Sequence, residues 1–322
     1  MVNWNLVKYI IGRILQTFIT LIIILTITFI LFEMLPARPY DLLSQNPLIK
    51  PAQKEAMIEL FGFNQPVHER YLLFMKNMLT FDFGISYSKA VPVNDLLSER
   101  IPRTLFLFGL SVILSYGLGI LVGAFIAWRR GGVADGSAVI TSLVFYNMPS
   151  FWIGLIFLFV FAFKLGWFPL TAWPQYYPFR WWEVLHHTFL PLITLILLSL
   201  AGTILLMRTS MLEVIGENYI LTAVAKGIPE RSVLFKHAAR NATLPVATAF
   251  VISLAFAMGG AVVLEQVFSF PGVGLLYIQA LNQLDFPTAQ ATLYILALMV
   301  LIGNLIADIV YGFLDPRIRV TE

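Results

Sequence analysis

Six long apolar runs, separated by polar segments, dominate the pattern of the sequence. An α-helix needs about 20 predominantly apolar residues to cross the hydrocarbon core of a bilayer, and each run comes close to that length or exceeds it. The pattern therefore predicts an all-α polytopic membrane protein with six transmembrane helices. The predicted spans are residues 14–32, 104–128, 138–163, 188–207, 244–264 and 289–313.

Lysine and arginine residues are distributed unevenly between alternate connections. They concentrate at both chain ends, at residues 129–130 and in a polar island at 208–243, whereas the two short connections on the other side contain only Lys164 and Arg180. Short loops rich in lysine and arginine stay on the cytoplasmic side of a membrane, so both termini are predicted to be cytoplasmic. The formal net charge of +3 reflects this topology and does not indicate nucleic-acid binding.

The spans and this topology predict the parts of the chain. We interpret the first span as a retained anchor, because it is longer than the apolar region of a secretory signal. The long external segment after it has the pattern of two short surface helices at residues 51–60 and 66–79. The predicted parts are an N-terminal segment with the first span (1–35), an extracytoplasmic segment (36–103), a five-helix core (104–313) that includes the polar island (208–243), and a cytoplasmic tail (314–322).

The composition excludes most kinds of chemistry. The sequence has no cysteine, and it contains no GxxxxGK[ST] phosphate loop, no GxSxG elbow and no HExxH pair. His186 and His187, with Glu183 at helical spacing, form the best candidate for a metal site, but adjacent histidines on a helix point about 100° apart. We therefore expect a non-enzymatic protein with no catalytic residue, no metal site and no cofactor in this chain.

Ionisable residues are nearly absent from the predicted spans. Asp308 lies near the inner end of the last span, and Glu33, Lys164 and Glu265 lie at outer edges. A proton- or sodium-coupled carrier usually needs intramembrane carboxylates or broken helices around an ion. A stand-alone secondary transporter or channel is therefore an alternative that the sequence disfavours.

Residues that interrupt helices stand inside two of the spans. Pro149 follows Asn147 closely in the third span, and Gly259 and Gly260 stand in the fifth. Each break is interpreted either as ordinary helix packing with satisfied polar groups or as an unwound segment beside a translocation path. The candidates for such a path are Asn147, Pro149, Met258 and Gly259.

The second span carries a spacing typical of close helix packing. Gly119 and Gly123 form a GxxxG step, in which the missing side chains let a neighbouring helix approach. We therefore expect these glycines to pack against another helix.

The polar island has the pattern of a helix, a bend and a second short helix. The segment from Glu217 to Lys226 carries its acidic residue in the first turn and its basic residue in the last, as the helix dipole favours. Gly227 is typical of a left-handed helix stop. A second short helix would open at Pro229 and end by Arg240.

Three interpretations of the island compete. A DNA-binding helix-turn-helix is disfavoured, because both ends are tethered close to the bilayer. A helix lying on anionic lipid is weakened by the mixed charges of the island. We favour a docking helix for a soluble partner, because small residues allow close approach and apolar residues can fill a groove. The small residues are Thr222, Ala223, Ala225 and Gly227, and the apolar residues are Ile220, Leu221, Ile228 and Val233.

The island also carries a family resemblance. TAVAKGIPERSVLFKHAARNATLPV resembles the EAA loop of binding-protein-dependent ABC transporter permeases, and its form is similar to that of the dipeptide/oligopeptide/nickel branch. MLPARPYD, FGFNQPVHERYLLFMKNMLTFDFGISYS, MPSFWIG, KLGWFPL and VFSFPGVGLLYIQALNQLDFP resemble the first permease subunit of that branch, in order and over nearly the whole chain. The loop departs from the generic motif, because Leu221, Thr222 and Ala223 stand where Glu-Ala-Ala is usual and because residues 228–243 make a longer gap.

The resemblance implies a type I ABC importer permease in a prokaryotic cytoplasmic membrane. The loop would be a coupling helix that inserts into a cleft of an ATPase subunit. The implied partners are a second homologous permease, two ATPase subunits that bind ATP and Mg²⁺, an extracytoplasmic binding protein and membrane lipid. The implied cargo is short peptides, with oligosaccharides or nickel as alternatives. The candidate ATPase-coupling residues are Glu217, Tyr219, Thr222, Ala223, Lys226, Gly227, Ile228 and Arg231.

Overall fold

A computed structural model of the protein describes residues 4–34, 47, 49–174, 180–260 and 262–314. Within these ranges the structure is helical, and the one strand-like feature is an isolated antiparallel bridge between Ile85 and Pro92. The α-helices are α1 (Trp4–Glu33), α2 (Pro51–Phe61), α3 (Val67–Leu79), α4 (Val93–Trp128), α5 (Val133–Asn147), α6 (Ser150–Phe157), α7 (Trp181–Ile215), α8 (Asn218–Ala225), α9 (Glu230–Ser232), α10 (Ala239–Met258), α11 (Val262–Val267), α12 (Val273–Asn282) and α13 (Phe286–Leu314). The tail predicted at 314–322 lies almost entirely outside the described residues.

Five segments of the described chain are long and apolar enough to cross a bilayer, and a sixth results if one bent pair of helices counts as a single span. The bent pair consists of α5 and of α6 with its π-helical continuation Leu158–Lys164, and the bend measures 102°. The all-α polytopic fold is confirmed, and the six predicted spans are reproduced when the bent pair counts as one span. The five single spans are Val7–Glu33, Val93–Trp128, Trp181–Ile215, Glu230–Ala257 and Phe286–Val310.

The helices extend beyond the predicted spans at most of their ends. Helix α4 begins at Val93, although its predicted span began at residue 104, and α7 begins at Trp181 and not at 188. The prediction followed the apolar run, whereas a helix continues through charged turns for as long as its backbone hydrogen bonds can form. The two short helices expected in the segment after α1 are present as α2 and α3.

The break expected in the third span lies between α5 and α6. Helix α5 ends at Asn147, and Pro149 adopts an extended conformation as the residue that precedes α6. Proline lacks an amide hydrogen and clashes with the preceding helical turn, so a continuous helix is disfavoured there. The sequence therefore located this bend correctly.

The predicted fifth span, 244–264, was wrong at both ends. The spanning segment begins at Glu230, and α10 ends at Met258. Gly260 has a φ of +69°, in the left-handed region that glycine adopts without steric cost, and α11 starts only at Val262. The Gly259–Gly260 pair therefore ends the helix, because a left-handed residue interrupts its hydrogen-bond ladder.

The chain divides into two compact units, residues 1–106 with 258–322 and residues 107–257. In the first unit α1 packs on α13, and α13 packs on α12. The buried side chains at the centre of this unit come from α1, α3, the start of α4, α12 and α13. They include Leu25, Phe74, Met78, Val93, Val273, Leu276 and Tyr294.

A buried carboxylate holds the connection between α3 and α4 in the first unit. Asp285, immediately before α13, accepts hydrogen bonds from the hydroxyl of Ser86, from the amide of Tyr87 (2.9 Å) and from the amide and hydroxyl of Ser88 (3.2 and 2.8 Å). Burial, and secondarily the charge of Asp285, raises the pKa of the Tyr87 hydroxyl. The carboxylate of Asp285 thus binds two backbone amides and two hydroxyls of this connection.

In the second unit α5 and α6 pack on α7, and the glycines of α4 also meet α7. A Cβ at Gly119 would lie 2.6 Å from Cβ of Thr203, and one at Gly123 would lie 2.7 Å from Cβ of Met207. These distances are too short for a side chain. The packing interpretation of the GxxxG step is therefore confirmed.

Candidate functional site

Helix α8 occupies the centre of the polar island. Helix α7 continues to Ile215, so Arg208, where the island begins, belongs to the last two turns of a spanning helix. The backbone then turns at Gly216, and the carbonyl of Glu217 accepts hydrogen bonds from the amides of Ile220 (3.0 Å) and Leu221 (3.3 Å). The first helix of the island is therefore present, with Glu217 as its N-terminal cap.

Gly227 ends α8 by a Schellman motif. Its φ is +72°, its amide donates to the carbonyl of Val224 (2.9 Å), and the amide of Ile228 donates to the carbonyl of Ala223 (3.3 Å). Lys226 is the C-terminal cap residue of the helix. The left-handed stop inferred from the sequence is present at the predicted position.

One face of α8 is buried and the other is exposed. Ile220 and Ala223 are 2% and 6% exposed, whereas Leu221 and Val224 are 59% and 56% exposed. The buried face packs in a cluster that includes Met211, Ala124 and Ala127 from α7 and α4, and Val233, Leu234 and Ala238 from the π-helical turn after α9. Ala223 was expected to let a partner approach, and Ile220 and Val233 were expected to fill a partner groove. All three expectations were wrong, because these side chains are buried against their own chain.

A side-chain hydrogen bond also attaches α8 to α10. The amide of Asn241 donates to the Tyr219 hydroxyl, with 2.7 Å between Nδ2 and Oη. Thr222 donates its hydroxyl to the carbonyl of Asn218 within α8 (2.9 Å), and its side chain is exposed. Helix α8 is consequently fixed to the spanning helices by packing and by one polar contact, with its outer face open.

The charged candidates lie on the exposed side of the island. Glu217, Lys226 and Arg231 are exposed, and Ile228 is half-buried against the same cluster as α8. Among the eight predicted coupling residues, the structure thus separates two groups. The residues on the open surface are Glu217, Tyr219, Thr222, Lys226, Gly227 and Arg231, and those turned inward are Ala223 and, in part, Ile228.

The predicted end of the second short helix, at Arg240, was wrong. The helix that opens at Glu230 does not stop by Arg240 but passes through the π-helical turn Val233–Ala238 into α10. No glycine or proline interrupts this stretch before Pro245, and the turn buries Val233 and Leu234. The connection from the end of α8 into a spanning helix is therefore continuous.

The four residues proposed for a translocation path fall in separate units. Asn147 ends α5, is exposed, and donates to the carbonyl of Leu143 (2.7 Å), and Pro149 follows in a shallow groove that Trp152 also lines. Met258 ends α10 and Gly259 follows it, in the first unit. Both pairs are at helix breaks, as the sequence indicated.

The histidine pair contacts backbone oxygens. Nε2 of His186 lies 3.0 Å from the carbonyl oxygen of Trp167, and Nδ1 of His187 lies 2.7 Å from that of Thr171. In the part of the chain that the structure describes, no three His, Asp or Glu side chains are grouped as metal ligands. The two rings therefore anchor the connection between the π-helical continuation of α6 and α7.

Comparison with known proteins gives consistent matches along the chain. Residues 119–320 match the model of the family described as binding-protein-dependent transport system inner membrane component, and residues 6–108 match the model of its N-terminal region. The chain is 39% identical to the oligopeptide transport system permease protein AppB of Bacillus subtilis, over 97% of this chain and 99% of the relative. It is 32% identical to the dipeptide transport system permease proteins DppB of Lactococcus lactis, over 98% and 100% of the two chains, and of Escherichia coli, over 96% of each.

Proposed function

Because the chain belongs to the family of binding-protein-dependent transport system inner membrane components, we propose that it forms half of the translocation pathway of an ATP-driven importer of short peptides. It is a multi-pass permease subunit of the inner membrane. The relatives named for oligopeptide and dipeptide transport cover nearly the whole chain, which supports peptides as cargo. Oligosaccharides and nickel are the competing cargoes.

The observation that carries the proposal is the two-sided arrangement of α8. Its exposed face offers Leu221 and Val224 to a partner groove, while Ile220 and Ala223 on the opposite face pack among the spanning helices. A helix held this way moves with the helices behind it when a partner pulls on its outer face. We assign the outer face to an ATPase subunit on the cytoplasmic side.

This assignment implies that the importer contains further subunits. ATP and Mg²⁺ would bind to two ATPase subunits, and this chain would contribute no catalytic group. A second, homologous permease would complete the pathway, and an external binding protein would deliver the peptide. Closure of the ATPase pair would move α8, and with it α7 and α10, between inward and outward access.

An ion-coupled mechanism is less well supported, because the carboxylate singled out within a span has a partner. Asp308 in α13 lies 3.4 Å from the guanidinium of Arg13 in α1. A paired carboxylate does not need to bind a transported cation or proton to be neutralised in a low-dielectric environment.

Reconstitution tests the proposal directly. The chain, its companion permease and the two ATPase subunits would be placed in proteoliposomes with the binding protein outside and ATP inside. We expect uptake of radiolabelled short peptides that stops when the ATPase subunits are omitted or when their phosphate-loop lysine is replaced. Uptake by this chain alone, without ATP, would instead support a secondary transporter. Uptake of a labelled oligosaccharide or of ⁶³Ni²⁺ in place of peptide would reassign the cargo.

A further inference from the structure

Two polar contacts flank α8 along the chain, and both reach the short connection between α4 and α5. Arg208, on α7 before α8, donates from Nε to Oδ1 of Asp135 (2.6 Å) and from an Nη nitrogen to Oδ2 (2.9 Å). Glu230, after the Gly227 stop, accepts a hydrogen bond from the indole nitrogen of Trp128. Trp128 is the last residue of α4, and Asp135 lies in the first turn of α5.

Asp135 has a second partner that fixes the turn itself. Its Oδ2 accepts a hydrogen bond from the amide of Gly131 (3.0 Å), a residue with a φ of +81°. Asp135 is only 5% exposed, and burying a carboxylate is costly unless its oxygens are paired. One carboxylate thus joins the turn, the start of α5 and the end of α7.

We propose that these contacts form a brace, defined as the Asp135–Arg208 and Trp128–Glu230 pairs, which transmits the movement of α8 to α5. Asp135 and Arg208 are then positioning residues of the transport cycle. This inference rests on the proposed function, because it assigns to the brace a step between the ATPase and the pathway. None of the four brace residues was singled out for this role by its sequence pattern.

The Arg208–Asp135 ion pair can fix the position of α5 on α7 in a way that helix packing alone cannot. Helices α5 and α7 pack against each other, and packed helices can slide by small shifts. A guanidinium that binds a carboxylate through two parallel hydrogen bonds fixes distance and orientation together. The Arg208–Asp135 contact therefore sets the register of α5 on α7, and α5 leads to the bend at Pro149.

Because of the Trp128–Glu230 hydrogen bond, the α8 segment is attached to the α4–α5 connection at both of its ends. Arg208 precedes α8 and Glu230 follows it, so both chain ends of the α8 segment are attached to the same α4–α5 connection. A displacement of α8 in either direction then reaches α5. With the Arg208 contact alone, a movement of α9 and α10 would leave α5 in place.

The first experiment measures coupling in the reconstituted importer. For wild type, Asp135→Asn and Arg208→Lys, one measures ATP hydrolysed per peptide transported. We expect each variant to keep ATPase activity within about twofold of wild type while peptide uptake falls about tenfold, so that the ratio rises. Thr209→Val is the matched control, because Thr209 is the exposed neighbour of Arg208 and bonds only within its own helix.

Exchanging the two charges tests whether peptide uptake depends on the Asp135–Arg208 ion pair itself or only on the individual side chains. The double variant Asp135→Arg with Arg208→Asp restores opposite charges, and we expect it to recover part of the uptake that each single reversal loses. A wild-type ratio of ATP to peptide in Asp135→Asn and in Arg208→Lys would overturn the brace. Failure of the wild-type complex to import peptide would contradict the proposed function instead.

The distance between α5 and α7 can also be measured in variants that do not transport peptide. The sequence has no cysteine, so Val133→Cys on α5 and Glu213→Cys on α7 give two unique spin-label sites, and Val133 is 91% exposed. In wild type we expect the distance between the labels to stay the same with and without trapped ATP, and in Asp135→Asn we expect a broadened distribution. Equal distributions in both backgrounds would overturn the inference.

Discussion

Thr104 donates a hydrogen bond to Glu265, with 2.9 Å between Oγ1 and Oε1, and both residues are fully buried. The Thr104 hydroxyl also accepts from the amide of Val273 (3.0 Å), and Oε2 of Glu265 accepts from the amide of Leu275 (2.9 Å). Helix α12 therefore begins on a carboxylate that is also tied to α4.

The first prediction concerns the pH dependence of stability. Burial raises the pKa of Glu265 from 4.5 to about 7, although its hydrogen bonds act in the opposite direction. The folded state thus holds a proton that the unfolded state has released, so this contribution to stability is complete below about pH 4.5 and is lost as the pH rises to about 7. One pKa unit corresponds to about 1.4 kcal/mol. The contribution of Glu265 protonation to the free energy of unfolding is therefore at most about 3 kcal/mol.

Thermal unfolding of the purified complex between pH 5 and pH 8 checks this prediction. We expect Glu265→Gln to reduce the difference in melting temperature between the two pH values, because the variant cannot titrate. Thr104→Val is the control: it removes one hydrogen bond but keeps the carboxylate, so its pH dependence should persist at lower overall stability. Identical pH dependence in wild type and Glu265→Gln would contradict the assignment.

Glu265 also shows where sequence interpretation reached its limit. The sequence places this charge at the outer edge of the predicted fifth span and indicates no partner for it. Its partner Thr104 is 161 positions away, and no local pattern relates the two. Hydrophobic length located the spans because that signal is local, whereas a buried polar pair depends on which helices meet.

A second prediction tests the packing of α4 on α7. Gly119→Ala would place a methyl group 2.6 Å from Cβ of Thr203, and overpacking of this kind costs about 1–3 kcal/mol. Gly117→Ala, on the same helix, meets no atom within 4 Å and gains helix propensity. We expect a lower melting temperature for Gly119→Ala and an unchanged or higher one for Gly117→Ala. Equal melting temperatures for the two variants would show that the GxxxG step of α4 is not a packing contact.

The candidate site was predictable where its signals were local. The left-handed stop at Gly227 follows from a residue type that acts within one turn. Glu217 and Lys226, expected in the first and last turns of the helix, are instead its two cap residues, one position outside it at each end. The inward position of Ala223 and the contact of Tyr219 with Asn241 depend on neighbouring helices, so composition gave no indication of them. The continuation of the second helix into α10 was missed because charges were taken as a boundary, although they lie on its exposed side.

A third prediction separates the two faces of α8. Leu221→Asp places a charge on the exposed face, where it would oppose burial in a partner groove. We expect ATPase association with the permease pair to fall at least tenfold, with the melting temperature of the permease pair unchanged. Ile220→Asp, one position earlier on the buried face, should instead destabilise the permease itself. Normal ATPase copurification with Leu221→Asp would show that this face does not dock the partner.

The last prediction isolates the conformation of Gly227. A left-handed backbone costs a residue with a side chain about 1–2 kcal/mol, and asparagine tolerates it better than leucine. A Cβ at Gly227 meets no atom within 4 Å, so strain in Gly227→Leu arises from the backbone and not from a clash within this chain. We expect Gly227→Leu to shift the end of α8 and to lower peptide uptake and ATPase association, while Gly227→Asn keeps most of both. Gly216→Ala, with a φ of −75° at the other end of α8, is the control without left-handed strain. If Gly227→Leu and Gly216→Ala were both indistinguishable from wild type in uptake, the left-handed stop would have no part in coupling.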